Sequence, residues 1–237
     1  MTKAAPLRSY GRIKGRPLKP RQARLLETLL PRIEIPVAGP IDPNALFAGE
    51  EKLQPAAGKP ATPRRTVLEI GFGGGEHLAA QAKARPDWRF LGVEPFLNGV
   101  VSGLRHIEEA GLLNVRLRQG DARDVLARLA CATLDCIYVL FPDPWPKKRH
   151  WKRRLIQDDA VAEFARVLKS AGEVRFATDW RDYAAWTLER FVREPRFAWT
   201  AQVPADWRRP WSGHAPTRYE QKRLGDSPPI FLRFVRL

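Results

Sequence analysis

From residue 66 onward the chain alternates short apolar runs with longer segments whose apolar positions lie three or four apart, the patterns of strands and amphipathic helices. TVLEI at 66–70 reads as a buried strand, followed by a glycine-rich turn and a helix over 76–85. A second strand over 88–93 ends in Glu94 and leads to a helix over 97–110. The third strand, 115–118, is followed by Gly120-Asp121-Ala122, and the fourth, 134–140, runs directly into FPDPWP. A helix over 157–168, a fifth strand over 173–177 and a helix over 183–193 continue the alternation. Two later β-prone stretches, 197–203 and 230–235, fit an edge hairpin. Strands separated by helices of this length predict an α/β fold with a Rossmann-like, doubly wound, mainly parallel seven-stranded sheet. Ligands bind such sheets outside the carboxyl ends of the strands, which puts residues 69–75, Glu94, Asp121 and Asp143 on one rim.

Upstream of residue 66 the pattern changes. Leu25, Leu26, Leu29 and Leu30 lie on one side of a short helix expected over 22–30. Residues 1–24 are basic, proline-bearing and poor in large apolar groups, and are expected to be mobile. Residues 38–63, rich in Pro, Gly and Ala, read as a surface linker. The expected organisation is a basic, partly flexible extension and linker over 1–60 and one folded domain over 61–237.

Charge changes this picture. The 237 residues carry a net charge of +15, and its distribution is uneven. Residues 1–24 hold eight Lys or Arg and no acid, and residues 147–154 hold six and no acid. Residues 64–140 hold ten basic and nine acidic residues. Two basic patches beside a near-neutral core suit a polyanion surface. Cys131 and Cys136 support neither a disulfide framework nor a four-ligand zinc site. None of His77, His106, His150 and His214 has evident metal partners, so no metal is expected. Without an apolar span or signal core, a cytoplasmic location is expected and no membrane association.

Candidate chemistry concentrates after the fourth strand. Pro142, Pro144 and Pro146 stiffen a loop that carries one carboxylate, Asp143, and the basic run KKRHWKRR follows. A rigid acid backed by basic and aromatic residues points to chemistry on a nucleic acid. On the first strand, Glu69 precedes Gly71, Gly73 and Gly75. An acid there repels a pyrophosphate but suits S-adenosylmethionine, whose sulfonium and ammonium are cationic. Glu94 has the spacing of an acid that binds ribose hydroxyls, and Asp121 that of an acceptor for an adenine amine. Three other readings stay open: an RNA methyltransferase acting on a base amine, a nicotinamide oxidoreductase, and a non-catalytic RNA-binding protein.

The chain resembles the bacterial tRNA (guanine-N7)-methyltransferase family. The matching segments are LEIGFGGGEHL (68–78), GVEPF (92–96), QGDA (119–122), FPDPWPKKRHWKRRL (141–155), FATDW (176–180) and TRYEQKRLG (217–225). The proline loop and TRYE are the specific ones. The resemblance implies a class I methyltransferase fold that transfers a methyl group from S-adenosyl-L-methionine to a variable-loop guanosine of tRNA (guanine-46 in tRNA numbering), as a monomer or homodimer. It implies cofactor contacts by Glu69, Gly71, Gly73, Glu94, Asp121, Ala122 and Asp143, with Asp143 the catalytic residue. Lys147, Asp179, Thr217, Arg218, Tyr219 and Glu220 are implied to hold the guanosine. Arg149, His150, Trp151, Lys152, Arg153 and Arg154 are implied to contact RNA; relatives often carry a histidine at the position of Trp151.

Guanine N7 has a free lone pair and no proton to lose, so no general base is needed. The protein has to align lone pair, methyl carbon and sulfur, and favour positive charge on the guanine. Asp143 suits that task by accepting from the guanine amino or ring N–H group. Asp179 either assists from the fifth strand or caps the helix near Arg181, where Asp182 is a further capping candidate. Tyr219, Trp145 and Trp151 are candidates to stack on a displaced base.

Overall fold

Seven strands make one sheet in the structure, a computed structural model describing residues 11, 13, 15–50, 64–222 and 224–237. β1 (Thr66–Ile70), β2 (Arg89–Glu94), β3 (Val115–Gln119), β4 (Leu134–Leu140) and β5 (Leu168–Thr178) are parallel. β6 (Phe197–Trp199) and β7 (Ile230–Arg236) complete one edge as antiparallel strands. The order β3-β2-β1-β4-β5-β7-β6 reverses direction between β1 and β4, and sheets of this kind bind ligands at such a switch point.

The helices cover both faces because strand residues on both sides are apolar. Val67 and Phe90 pack on one side with Leu78 of α4 (Glu76–Ala84) and Leu104 of α5 (Leu97–Ala110). Leu68 and Ile137 pack on the other with Val125 of α6 (Ala122–Arg128), Phe164 of α7 (Asp158–Val167) and Phe191 of α8 (Arg181–Arg193). Each such fully buried side chain contributes about 1.5–3 kcal/mol. The sequence pattern missed α6, a seven-residue helix that Asp121 starts by accepting from Arg123 N at 2.9 Å. It also placed β5 too late: the strand follows α7 directly and bends at Ala171, whose φ is 60°.

The segment before β1 differs most from expectation. α1 (Pro20–Thr28) buries Leu25 and ties Arg21 and Arg24 to Glu108 of α5 at 3.0 Å each. Just upstream, Ile13 O accepts from Leu97 N at 2.9 Å, and Gly15 N donates to the Asn98 side chain at 2.9 Å. After α2 (Leu30–Ile33), Ile35 N donates to Leu117 O at 2.8 Å and covers the free edge of β3. Residues 38–50 are no surface linker: they contain α3 (Pro43–Phe47) and bury Ile41 and Phe47. Arg116 clasps this piece, its guanidinium 4.3 Å from the Phe47 ring and 2.8 Å from Glu50. Expectations for residues 1–10, 12, 14 and 51–63 lie outside the described residues.

Candidate active site

The turn after β1 is built by backbone that only glycine adopts easily. Gly71, Gly73 and Gly75 have φ of 70°, 56° and 82°. A side chain on Gly75 would meet the Gly103 backbone 2.7 Å away, so the turn packs flat on α5. Gly73 N is aimed at Glu94 and donates to its carboxylate at 2.8 Å, while Phe96 N donates to the other oxygen at 2.9 Å. Burial, followed by the charges of Asp143 and Glu69, raises Glu94 to about 7 against the lowering effect of these two bonds. A desolvated carboxylate with spare acceptor capacity on both oxygens is suited to hydroxyl donors.

The other rim acids are differently occupied. Glu69 lies beneath the turn, 2% exposed, bonded at 2.7 Å to His77 Nδ1. Asp121 caps α6 and grips Arg123 through bonds of 3.0 and 2.6 Å. Burial pushes the Asp121 carboxyl up, but the Arg123 bonds outweigh it and the net shift is downward. Ala122 is buried as the first residue of α6.

Asp143 occupies a loop under strain. Phe141 and Trp145 on either side of it have φ of 49° and 44°, left-handed values that cost bulky residues on the order of 1–3 kcal/mol each. Braces hold them there. Phe141 N donates to Ala177 O at 2.7 Å, and Arg154 Nε donates to Pro144 O at 2.9 Å. The Arg153 guanidinium lies 4.9 Å from the Trp145 ring centre, with His150 edge-on at 5.8 Å. Asp143 itself reaches solvent, yet the protein crowded around it lifts its carboxyl above the ordinary value.

The basic run after the loop, a 3-10 helix over Lys148–Arg153 entered from Lys147, has two faces. Lys147, Lys148, Arg149 and Lys152 are exposed. Trp151 instead packs 5.2 Å from Trp186. Arg154, implied to touch RNA, is 2% exposed, paired with Asp182 and ringed by Trp151, Tyr183 and Trp186 at 4.9–5.0 Å. Its guanidinium serves the fold.

The TRYE segment divides the same way. Beyond the short α9 (Ala205–Arg208), Thr217 Oγ1 accepts from Glu220 N at 3.1 Å while Glu220 accepts from Thr217 N at 3.3 Å, a reciprocal capping box that starts α10 (Arg218–Lys222). The box leaves Arg218 and Tyr219 exposed, and the Tyr219 ring edge would stand 3.4 Å from a Cβ on Gly73. Desolvation, then the Glu94 and Asp143 carboxylates, raise the Tyr219 phenol, so the three groups share one site. Asp179 is buried and accepts from Gly225 N at 2.7 Å, fastening the chain that returns from α10. It does not cap α8; Asp226 does, accepting from Arg181 N at 2.9 Å.

Two participants escaped the sequence reading. His77 pairs with Glu69, and His214 Nε2 pairs with Glu220 at 2.7 Å. The visible signal was a histidine near a motif carboxylate in each case. Among the described residues no group of His, Cys, Asp and Glu is arranged to hold a metal ion, and no helix is long and apolar enough to cross a membrane.

The doubly wound sheet, with β7 antiparallel beside β5 and a glycine turn after β1, is the class I methyltransferase fold. Solved structures agree on the fold: the 16S rRNA (adenine(1408)-N(1))-methyltransferase of Catenulisporales acidiphilia aligns with a TM-score of 0.53 at 18% identity, over 83% of this chain and 92% of that one. An rRNA methylase from Streptococcus thermophilus aligns at 0.51 and 11% identity, over 73% and 87%. A family model described as "Putative methyltransferase" matches residues 63–231. The tRNA (guanine-N(7)-)-methyltransferase of Caulobacter sp. (strain K31) is 52% identical over 98% of this chain and 96% of its own length. That of Nitrobacter hamburgensis is 47% identical over 96% and 86%. The chain belongs to the tRNA (guanine-N7)-methyltransferase family.

Proposed function

We propose that Glu94 and the glycine turn hold S-adenosyl-L-methionine, that Asp143 faces the guanine, and that the base is clamped from above by Tyr219. The activity is that of the family: the chain is an S-adenosylmethionine-dependent tRNA (guanine-N7)-methyltransferase and yields 7-methylguanosine. We assign the target to the variable-loop guanosine, guanine-46 in tRNA numbering, and the reaction to the cytoplasm.

The residues present fit the methyl donor. Glu94 is desolvated beside a second carboxylate, an arrangement that repels a pyrophosphate and is relieved by the hydroxyl donors of a ribose. When bound, S-adenosylmethionine supplies an electrophilic methyl on a sulfonium. Glu94 fixes the ribose by accepting from its hydroxyls, while Gly73 lets the ligand approach the backbone. Asp143 accepts from the guanine N–H groups, orients the N7 lone pair and stabilises the positive charge that develops on the ring. Tyr219, kept protonated by its raised value, offers its ring as a stacking surface beside that charge. Lys148, Arg149 and Lys152 supply exposed cations for tRNA phosphates.

The single observation that carries this reading is the convergence of Glu94, Asp143 and Tyr219 on the glycine turn. The test is incubation with unmodified tRNA and methyl-labelled S-adenosylmethionine, followed by nucleoside analysis. Label is expected in 7-methylguanosine; label confined to a base amine would overturn the assignment.

A further inference from the structure

The pairs Glu69–His77 and His214–Glu220 lie outside the chemistry just described, yet they meet. Each closes a loop. Glu69 is the penultimate residue of the strand that enters the glycine turn and His77 the second residue of the helix that leaves it, so their 2.7 Å bond is a clasp across the base of the cofactor turn. His214 and Glu220 bracket the approach to α10, and their 2.7 Å bond is a clasp across the base of the guanosine clamp. The two imidazoles lie against each other, centres 5.6 Å apart and planes inclined by 39°.

The site is closed around them. Tyr138 stands edge-on to His77 at 4.8 Å; Trp211 and Phe231 flank His214 at 5.3 and 5.4 Å. Their side chains are 1% and 3% exposed. With the carboxylates ionised, His77 donates from Nδ1 and His214 from Nε2. The remaining nitrogens, His77 Nε2 and His214 Nδ1, are buried without a protein hydrogen-bond partner. Unpartnered buried acceptors are costly, so rings held this way need a reason beyond stability. Beside them Gln81 of α4 donates to Gly213 O at 2.8 Å, a second tie between the same two loops.

We propose that His214 is a positioning residue: through its stack on His77 it docks the guanosine clamp onto the cofactor turn, so that occupation of one loop favours occupation of the other. The inference rests on the proposed function, because it takes 217–222 as the guanosine clamp. Displacing His214 moves Glu220, which opens the capping box and releases Tyr219 from above Gly73. A residue that merely fills space would lower stability without changing the coupling between ligands.

The experiment uses the full chain, S-adenosylhomocysteine and unmodified tRNA. Wild type is expected to bind S-adenosylhomocysteine about 5- to 10-fold tighter with tRNA present. His214→Leu should lose that enhancement and raise KM for tRNA by about the same factor, while binding of S-adenosylhomocysteine alone changes by less than about twofold. His214→Gln, whose planar amide can both donate to Glu220 and lie against the His77 ring, should restore both. Retention of the coupling in His214→Leu, or no recovery in His214→Gln, overturns the proposal. Should His214→Leu fail to fold by circular dichroism, Glu220→Ala, which removes the acceptor for His214, must show the same loss, and retention there overturns it equally. Absence of 7-methylguanosine with wild type would instead reject the proposed function.

Discussion

The turns after β1 and β4 sit side by side at the switch point and solve opposite problems. The first must admit a ligand to its backbone, and it does so by omitting side chains: three glycines take left-handed φ at little steric cost. The second must hold a carboxylate still, and it does so with bulk. Phe141 and Trp145 take the same left-handed φ at a real cost, held by Arg153, Arg154 and the β5 backbone. One loop is shaped by what it lacks and the other by what restrains it. The glycine turn therefore tolerates loss of its neighbours better than the proline loop does.

The sharpest way to break the comparison is to empty the proline loop of its acid. Asp143→Ala should lower turnover on the order of 10²-fold or more while leaving the fold intact. Near-normal turnover at saturating substrates would deny Asp143 its role.

Glu94 probes the glycine side through pH. Its folded value of about 7 lies above the ordinary 4.5, so between these the folded state keeps a proton that the unfolded state releases. Stability from this group is full below about 4.5 and is lost as pH rises through about 7. In urea melts without ligand, wild type relative to Glu94→Gln should lose about 2–3 kcal/mol between pH 5 and pH 8. S-adenosylhomocysteine affinity should rise with pH through about 7 in wild type and stay flat in the variant; parallel profiles would exclude Glu94 as the ribose acceptor.

The basic run separates next. Arg154→Ala should cost about 2 kcal/mol and lower turnover, because the brace on Pro144 and the cation–aromatic cluster are lost together. Its tRNA salt slope should be unchanged. Replacing Lys148, Arg149 and Lys152 by Ala should leave stability within about 0.5 kcal/mol and flatten the salt slope by up to about 0.7 to 0.9 per lost phosphate contact. An inverted pattern would mean that the buried and exposed faces have been exchanged.

The smallest effects come from exchanging the two solutions. Gly73→Ala should cost about 1 kcal/mol and weaken S-adenosylhomocysteine binding, since its φ disfavours a Cβ. Trp145→Gly should change stability by less than about 1 kcal/mol, as relieved strain offsets the lost Arg153 stack, but turnover should fall. Equal turnover in Trp145→Gly and wild type would show that the strain does not hold Asp143.

The parallel strands and the rim at their carboxyl ends were readable because strands buried on both faces leave continuous apolar runs, as in 66–70 and 134–140. The packing of residues 20–50 was not, because Ile35, Ile41 and Phe47 are single anchors spaced among Pro, Gly and Ala, with no period to reveal them. The motif segments were legible in the sequence, but the hydrogen-bond partners of their individual residues were not. Glu69, Arg154, Thr217 and Glu220 stand in the right segments, yet the hydrogen bonds described above engage them with other protein groups. Spacing locates a motif; only geometry tells which of its polar groups face outward and which hold the others.

The place of β7 has a consequence for the order in which the molecule comes into being. The last strand of the chain is inserted between β5 and β6, not added at the rim of the sheet. A nascent chain that has emerged from the ribosome only through α8 therefore shows β5 with an open edge, an invitation to pair with a neighbour. The fastening of Gly225 and Ser227 to Asp179 also waits for the segment that leads into β7. Premature termination before residue 225 removes strand and fastening together, leaving a cofactor half with an adhesive flank and no anchored guanosine clamp. Synthesis thus withholds the substrate half of the site until residues 225–236 have emerged.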